Sequence, residues 1–301
     1  MKVRYNKAVL IYNGVAGGNN LQQKLAQTLP ILSQAIRSLN VVQTLSQEET
    51  EDVCQNLDSD IELLLILGGD GTVHVCINVL AKLEHRPVIG ILPGGTSNDF
   101  TRTLGIPQNL QTAAQTIVNG IEKPIDVGVS GTDYFLNFWG VGLVTETSKN
   151  IDVSQKQNLG VLSYLLSTIK SIGNANNFTY ELETEEETYK GDAVLIFVLN
   201  GRFIGTRELP IPTLEADDGM LEVLIVKNSN LGSFREFMAM KNPDMDKSAF
   251  QQIEHFRVKD LAIKAKPKQE VDMDGEIYQM TPAEISILPG HFRMIGVSEP
   301  L

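Results

Sequence analysis

Short apolar runs alternate with helically spaced leucines through the first third of the chain. Ala8-Val9-Leu10-Ile11-Tyr12 reads as a buried strand closed by the turn Asn13-Gly14-Val15-Ala16-Gly17-Gly18. Leu21, Leu25, Leu29, Leu32 and Ile36 recur at helical spacing and predict a helix over 21–39, then a strand at 41–44 and a short acidic helix over 48–57. The run Leu63-Leu64-Leu65-Ile66-Leu67 closes on Gly68-Gly69-Asp70-Gly71-Thr72, with a helix behind it to about Lys82. Val88 to Leu92 is the next strand and ends in Pro93-Gly94-Gly95-Thr96-Ser97-Asn98-Asp99. Strands that alternate with helices predict a parallel sheet covered by helices.

After Pro124 the pattern changes to apolar and polar residues alternating one by one between turns, as at 134–138, 179–183, 193–200, 221–226 and 284–288. That is the signature of antiparallel strands, and it predicts a β-sandwich. The expected fold is therefore α/β over residues 1–124, followed by an antiparallel β-sandwich over 125–290, with 291–301 returning to the first domain. One helical interruption, Leu159 to Ile172, carries an apolar stripe that reads as packing on the sandwich or as contact with lipid. Tyr134, Phe135, Phe138 and Trp139 read as core, and the acidic run 183–187 as a solvated hairpin tip.

Composition narrows the partners. Of 301 residues, 25 are Lys or Arg and 37 Asp or Glu, so the net charge of -12 argues against a protein that coats nucleic acid phosphates. The same sign repels anionic headgroups, which leaves membrane contact to a local patch. Cys54 and Cys76 are the only cysteines and offer neither a disulfide framework nor a zinc spacing. The apolar run behind the basic N-terminus is too short for a signal peptide, and no stretch approaches the ~20 apolar residues of a membrane span. A cytoplasmic protein touching the inner face of the membrane peripherally is expected.

Three strand ends rich in Gly, Asn, Asp and Thr lie at one carboxyl edge of a parallel sheet, where ligands bind. Glycine lets backbone N–H groups approach phosphate oxygens, and a following helix N-terminus adds positive partial charge. An aspartate in the middle of Gly68 to Thr72 suits a metal ion or a hydroxyl partner as well. There is no Gly-Lys-Ser/Thr phosphate loop and no dinucleotide spacing.

Gly68-Gly69-Asp70-Gly71-Thr72, followed by Pro93-Gly94-Gly95-Thr96-Ser97-Asn98-Asp99-Phe100 and Arg102, resembles the catalytic domain of the diacylglycerol kinase family, in its bacterial soluble lipid-kinase branch. The first motif is shared with NAD kinases and, more loosely, phosphofructokinases; the second points to lipid kinases. Leu159-Gly160, Leu162 and Tyr164, Asp217-Asp218-Gly219 and Asp274-Gly275-Glu276 extend the resemblance along the chain. It implies a Rossmann-like first domain of the phosphofructokinase and NAD kinase kind, with the active site in a cleft before the sandwich.

It further implies that ATP is held by Asn13, Gly14, Val15, Ala16, Gly17, Thr44, Gly68, Gly69, Asp70, Gly71, Thr72, Val73, His74, Gly95, Thr96 and Asn98. Asp70 and Asp99 would serve magnesium and the phosphates, Glu276 would be the proton acceptor with Asp274 beside it, and Glu215, Asp218 and the Met220 carbonyl would hold a structural Mg2+. One residue between Asp274 and Glu276 would put both on one side of an extended segment, and Gly275 permits a turn between them. Two departures stand out: His74-Val75 replaces the family's Asn-Glu, and Gly14 replaces a proline. The expected partners are ATP and a lipid at the membrane surface, with a homodimer left open. A NAD kinase-like enzyme and a nucleotide- or lipid-binding protein with weakened catalysis are the alternatives.

Overall fold

A computed structural model describes residues 3–14, 20–145, 177–242 and 249–297. Val15, Ala16, Gly17 and the 159–172 helix lie outside the described residues. The chain divides into two units, 1–125 with 290–301, and 126–289.

In the first unit four strands form a parallel sheet: β1 (Tyr5–Asn13), β2 (Ile36–Thr44), β3 (Leu63–Gly68) and β4 (Val88–Pro93), in the order β2-β1-β3-β4. Met294, on the C-terminal strand, lies parallel beside Ile89 of β4. Every residue of β3 is buried, as an all-apolar strand covered on both faces requires. The helices are α1 (Leu21–Leu32), α2 (Gln47–Gln55), α3 (Asp70–Leu80), α4 (Asp99–Thr103) and α5 (Leu110–Asn119). Ser46 caps α2 by accepting the Glu49 N–H, and Asn109 caps α5 by accepting those of Gln111 and Thr112. Cys54 on α2 and Cys76 on α3 are both buried, and the Cys54 contact together with burial pushes the Cys76 thiol up.

The spacing that predicts a helix to residue 39 ends at Leu32. From Ile36 the chain pairs with β1 in a ladder from Tyr5↔Ile36 to Asn13↔Thr44, and that tertiary pairing overrides the local helical pattern. No helix among the described residues is long and apolar enough to cross a membrane.

The second unit is a sandwich of antiparallel sheets. It takes up β5 (Ile121–Ser130) from Asp126 on, and then β6 (Asp133–Phe135), β7 (Phe138–Gly142), β8 (Phe178–Thr184), β9 (Thr188–Ala193) and β10 (Leu195–Leu199). A two-stranded ribbon follows, β11 (Phe203–Ile204) with β12 (Arg207–Glu208). The remaining elements are β13 (Leu221–Val226), α6 (Leu231–Ala239), β14 (Ile253–Val258), β15 (Asp260–Lys266), β16 (Glu270–Met273), β17 (Glu276–Met280) and β18 (Ala283–Gly296), whose end belongs to the first unit.

One sheet runs β14-β13-β10-β7-β16-β17; facing it are β9, β8, β15 and the start of β18. Trp139, Phe178, Ile196, Val223, Ile263 and Ile285 pack between the sheets. The far face of the six-stranded sheet is covered in turn by Leu209, Leu214 and Phe237 of α6, which explains why β10 and β13 are buried throughout. Phe135, Phe138 and Trp139 are therefore core residues. The expected strand over 134–138 is broken at Leu136-Asn137, for a reason that lies in the site.

Candidate functional site

The strand order puts β2 on one side of β1 and β3 on the other, so the connections after β1 and β3 leave in opposite directions. Ligands of open α/β sheets bind in the crevice at such a reversal, beyond the carboxyl ends of the strands. The registers Asn13↔Thr44 and Gly68↔Pro93 bring the strand-end motifs to that one edge.

There the two glycine loops touch backbone to backbone. Gly94 N–H donates to the Gly68 carbonyl at 2.8 Å. A Cβ on Gly95 would sit 2.5 Å from the Gly69 Cα, and one on Gly94 2.9 Å from the Gly68 nitrogen. Asp70, in the first turn of α3, locks the pair. Its carboxylate accepts the N–H of Asn98 at 2.8 Å and that of Asp99 at 2.7 Å. Asn98 stands in the left-handed region (φ 51), accepts the Gly95 N–H and donates to the Gly95 carbonyl and to Gln108. Arg102 returns to the Ser97 carbonyl, and Lys24 of α1 donates to that of Gly94 at 2.7 Å.

The result is a rim above a support. Gly71, Gly95 and Thr96 are exposed and Asn13, Gly14, Gly69, Asp70 and Thr72 half-buried, whereas Thr44, Gly68, Val73, His74, Asn98 and Asp99 are buried. The Thr44 hydroxyl accepts from Thr50 at 2.8 Å, and Gly14 N–H donates to the Thr44 carbonyl. His74 lies inside α3, its Nε2 3.2 Å from the amide of Asn78, which also donates to the His74 carbonyl; the helix cap is Gly69.

In the second unit Asp274 and Gly275 form the two-residue turn between β16 and β17, both with positive φ (54 and 97), the Asp-Gly hairpin arrangement. The turn that Gly275 permits thus sits at Asp274 and Gly275 themselves, so Asp274 is part of the turn and only Glu276 is extended. The Asp274 carboxylate accepts the N–H groups of Leu136, Asn137 and Phe138 at 2.8, 2.8 and 3.0 Å. This grip on three successive amides is what breaks the strand between β6 and β7. Asp272 accepts the Gly275 N–H at 2.8 Å and closes the turn from below. Glu276 is exposed, and no hydrogen bond or ion pair joins its carboxylate among the described residues. Beside the hairpin a groove of about 570 Å3 is lined by Val129, Ile263, Val271, Met273, Tyr278 and Ala283 among others.

Comparison with known proteins agrees with this architecture in both units. The diacylglycerol kinase catalytic domain matches residues 7–130, and the YegS C-terminal NAD kinase beta sandwich-like domain matches 140–296. A relative from Staphylococcus aureus (strain JH9), named a putative lipid kinase, is 32% identical over 304 residues, covering 99% of this chain and 100% of its own. The chain belongs to the diacylglycerol kinase catalytic domain family. Two crystal structures of Bacillus anthracis str. Sterne proteins extend the likeness to three dimensions. One, titled a putative diacylglycerol kinase, superimposes with a TM-score of 0.89 at 39% identity over 99% of both chains. The other, titled a diacylglycerol kinase, has a TM-score of 0.83 at 34% identity over 99% of this chain and 100% of its own.

The third family motif is the turn Asp217-Asp218-Gly219. Asp218 Oδ1 accepts the Met220 N–H at 3.0 Å, and its other oxygen meets the Arg257 guanidinium. Burial pushes the Asp218 carboxyl up, Asp126 and Glu222 add to the rise, and Arg257 opposes it. Glu215 is exposed. Among the described residues no three His, Cys, Asp or Glu side chains gather as a metal-holding group. Asn200, fully buried, donates to the carbonyls of Asp126 and Leu136 and so links this turn to the segment gripped by Asp274.

Lys24, Gln108, Asp272, Asn200 and Arg257 carry no mark of the site in the sequence pattern, with one partial exception. Asp272 is the first aspartate of Asp-x-Asp-Gly, a turn-capping spacing. Lys24, Asn200 and Arg257 act across long separations that no local pattern encodes, and Gln108 reaches Asn98 from the next loop, ten residues on.

Proposed function

We propose that the protein is an ATP-dependent lipid kinase that transfers the γ-phosphoryl group to the hydroxyl of diacylglycerol or a related lipid, giving phosphatidic acid or its analogue. The observation that carries this reading is the Asp70 tie between the two glycine loops at the carboxyl edge of the parallel sheet, in a chain of a kinase family. Phosphoryl transfer asks a protein mainly for positioned phosphates and neutralised charge, with a base near the acceptor hydroxyl.

The exposed and half-buried rim, Asn13, Gly14, Gly69, Gly71, Thr72, Gly95 and Thr96, is assigned to ATP; the buried Thr44, Gly68, Val73, His74 and Asn98 hold that rim in shape. The N-terminus of α3 adds its dipole to the phosphate site. Asp70 and Asp99 are assigned to the magnesium ion that accompanies ATP; each Asp70 oxygen accepts one backbone amide, and a carboxylate oxygen has a second lone pair to offer a cation. Magnesium supplies neutralisation of the phosphate charge when bound. Glu276 takes the proton of the lipid hydroxyl at a carboxylate oxygen that no protein group occupies among the described residues. Asp274 and Asp272 fix the turn that carries it. The groove along β16 and β17 is assigned to the apolar part of the lipid, because Met273 and Tyr278 flank the turn and line it.

Purified protein incubated with magnesium, labelled ATP and a detergent-dispersed panel of diacylglycerol, phosphatidylglycerol, sphingosine and NAD tests the reading. Label on one lipid is the expected result and names the acceptor. Label on NAD, or transfer to nothing while ATP still binds, sinks it.

A further inference from the structure

The turn that the family resemblance marks for a structural magnesium ion is already furnished with a cation of its own. Glu222, the second residue of β13, is buried with only 2% of its side chain exposed, and its register partner across the antiparallel ladder is Arg257 of β14. One Glu222 oxygen meets His255 Nε2 at 2.6 Å, and the other, which has no hydrogen-bond partner among the described residues, forms an ion pair with Arg257 Nε at 3.2 Å. From that ion pair the guanidinium extends to Asp218. The planar fork of arginine spans two carboxylates in a way that a point charge does not.

Backbone bonds complete the turn. Asp218 accepts the Met220 N–H, Asp126 accepts the Gly219 N–H at 2.6 Å, and Asp126 N–H donates to the Ala216 carbonyl. Gly219, at φ +71, supplies the left-handed step. Both Asp218 oxygens are thus engaged, one by an amide and one by a guanidinium, while the remaining side chain of the implied donor set, Glu215, stands exposed. Magnesium demands near-octahedral oxygen ligands at short range and surrenders its water reluctantly. What is left of that donor set, one exposed carboxylate and one carbonyl beside a positive guanidinium, fits that demand poorly.

We propose that Arg257 takes the place of a structural magnesium ion in this chain: held by buried Glu222, it neutralises the Asp217-Asp218-Gly219 turn and keeps its shape without a divalent cation. The proposal concerns the turn alone and is independent of the lipid-kinase reading and of the magnesium that accompanies ATP.

Thermal unfolding of the nucleotide-free full-length protein tests it, in EDTA and across a millimolar titration of magnesium chloride at constant ionic strength. The wild type is expected to unfold at the same temperature in both. Arg257→Met, which leaves Asp218 without its counter-charge and Glu222 with His255 alone, should lose several degrees and regain part of them with magnesium, and the regain should vanish in Arg257→Met/Asp218→Asn. Arg257→Lys, which keeps the charge, should stay indifferent to magnesium and tell loss of charge from loss of packing if Arg257→Met fails to fold. A wild-type midpoint that rises with magnesium and falls with EDTA, with the response removed by Asp218→Asn, overturns the proposal. So does an Arg257→Met protein with wild-type stability and no response to magnesium.

Discussion

As sequence, the glycine loops of the first unit resemble the aspartate-glycine turns of the sandwich, yet glycine is there for opposite reasons. Gly94 and Gly95 have no room for a side chain, because the backbone of Gly68 and Gly69 lies against them. A Cβ on Gly275 would meet nothing within 4 Å, but the residue takes φ +97, and Gly219 takes φ +71. In one region glycine permits contact, and in the other it permits a turn. The aspartates differ less. Asp70 holds two amides of a neighbouring loop and Asp274 holds three of a neighbouring strand end, so both motif aspartates build the site before either is asked to act. Among the residues expected to catalyse, Glu276 is the one whose carboxylate is exposed.

That contrast between a building aspartate and the glutamate proposed as base can be broken most directly at the hairpin. Glu276→Gln should lower lipid phosphorylation by about 10²–10⁴-fold, the usual loss for a positioned base, with the unfolding midpoint unchanged. A variant of full activity removes Glu276 from the chemistry. Asp274→Ala should do the reverse in kind, destabilising the protein by about 3–5 kcal/mol because three backbone donors lose one acceptor, measured by denaturant unfolding. Wild-type stability would refute the grip on residues 136–138.

Smaller effects sharpen the contrast between the glycines. Gly95→Ala should cost about 1–3 kcal/mol, since backbone must move to admit the methyl group, and should weaken ATP binding in calorimetry. Gly275→Ala should cost about 1 kcal/mol from φ strain alone and leave ATP binding untouched. Equal losses of nucleotide affinity in the two variants would erase the distinction. His74→Asn should be the mildest, with activity within a few-fold of wild type, because the His74 ring is buried inside α3 against Asn78.

Much of this was legible in the chain. Leu63 to Leu67 and Val88 to Leu92 are apolar but for Gly90, so their ends had to carry the loops at the carboxyl edge, and the glycines there marked a ligand site. Alternation after Pro124 announced antiparallel strands, though β10 and β13 proved buried on both faces. Less visible was the extent of β2, whose first half carries helical spacing and becomes strand only beside β1. The break at Leu136-Asn137 was equally hidden, because its cause, Asp274, lies 138 residues from Leu136 along the chain.

Periodicity and turn chemistry are local properties, and with them the sequence alone determined two fold classes, the loop positions and the residue types of the site. Only the tertiary structure decided what each charged side chain does. Asp70 became a tie between loops, Asp274 a clamp on a distant strand end and Arg257 the counter-charge of a turn, because a carboxylate is satisfied by whichever donors packing brings within about 3 Å, and those donors come from segments that local pattern cannot relate.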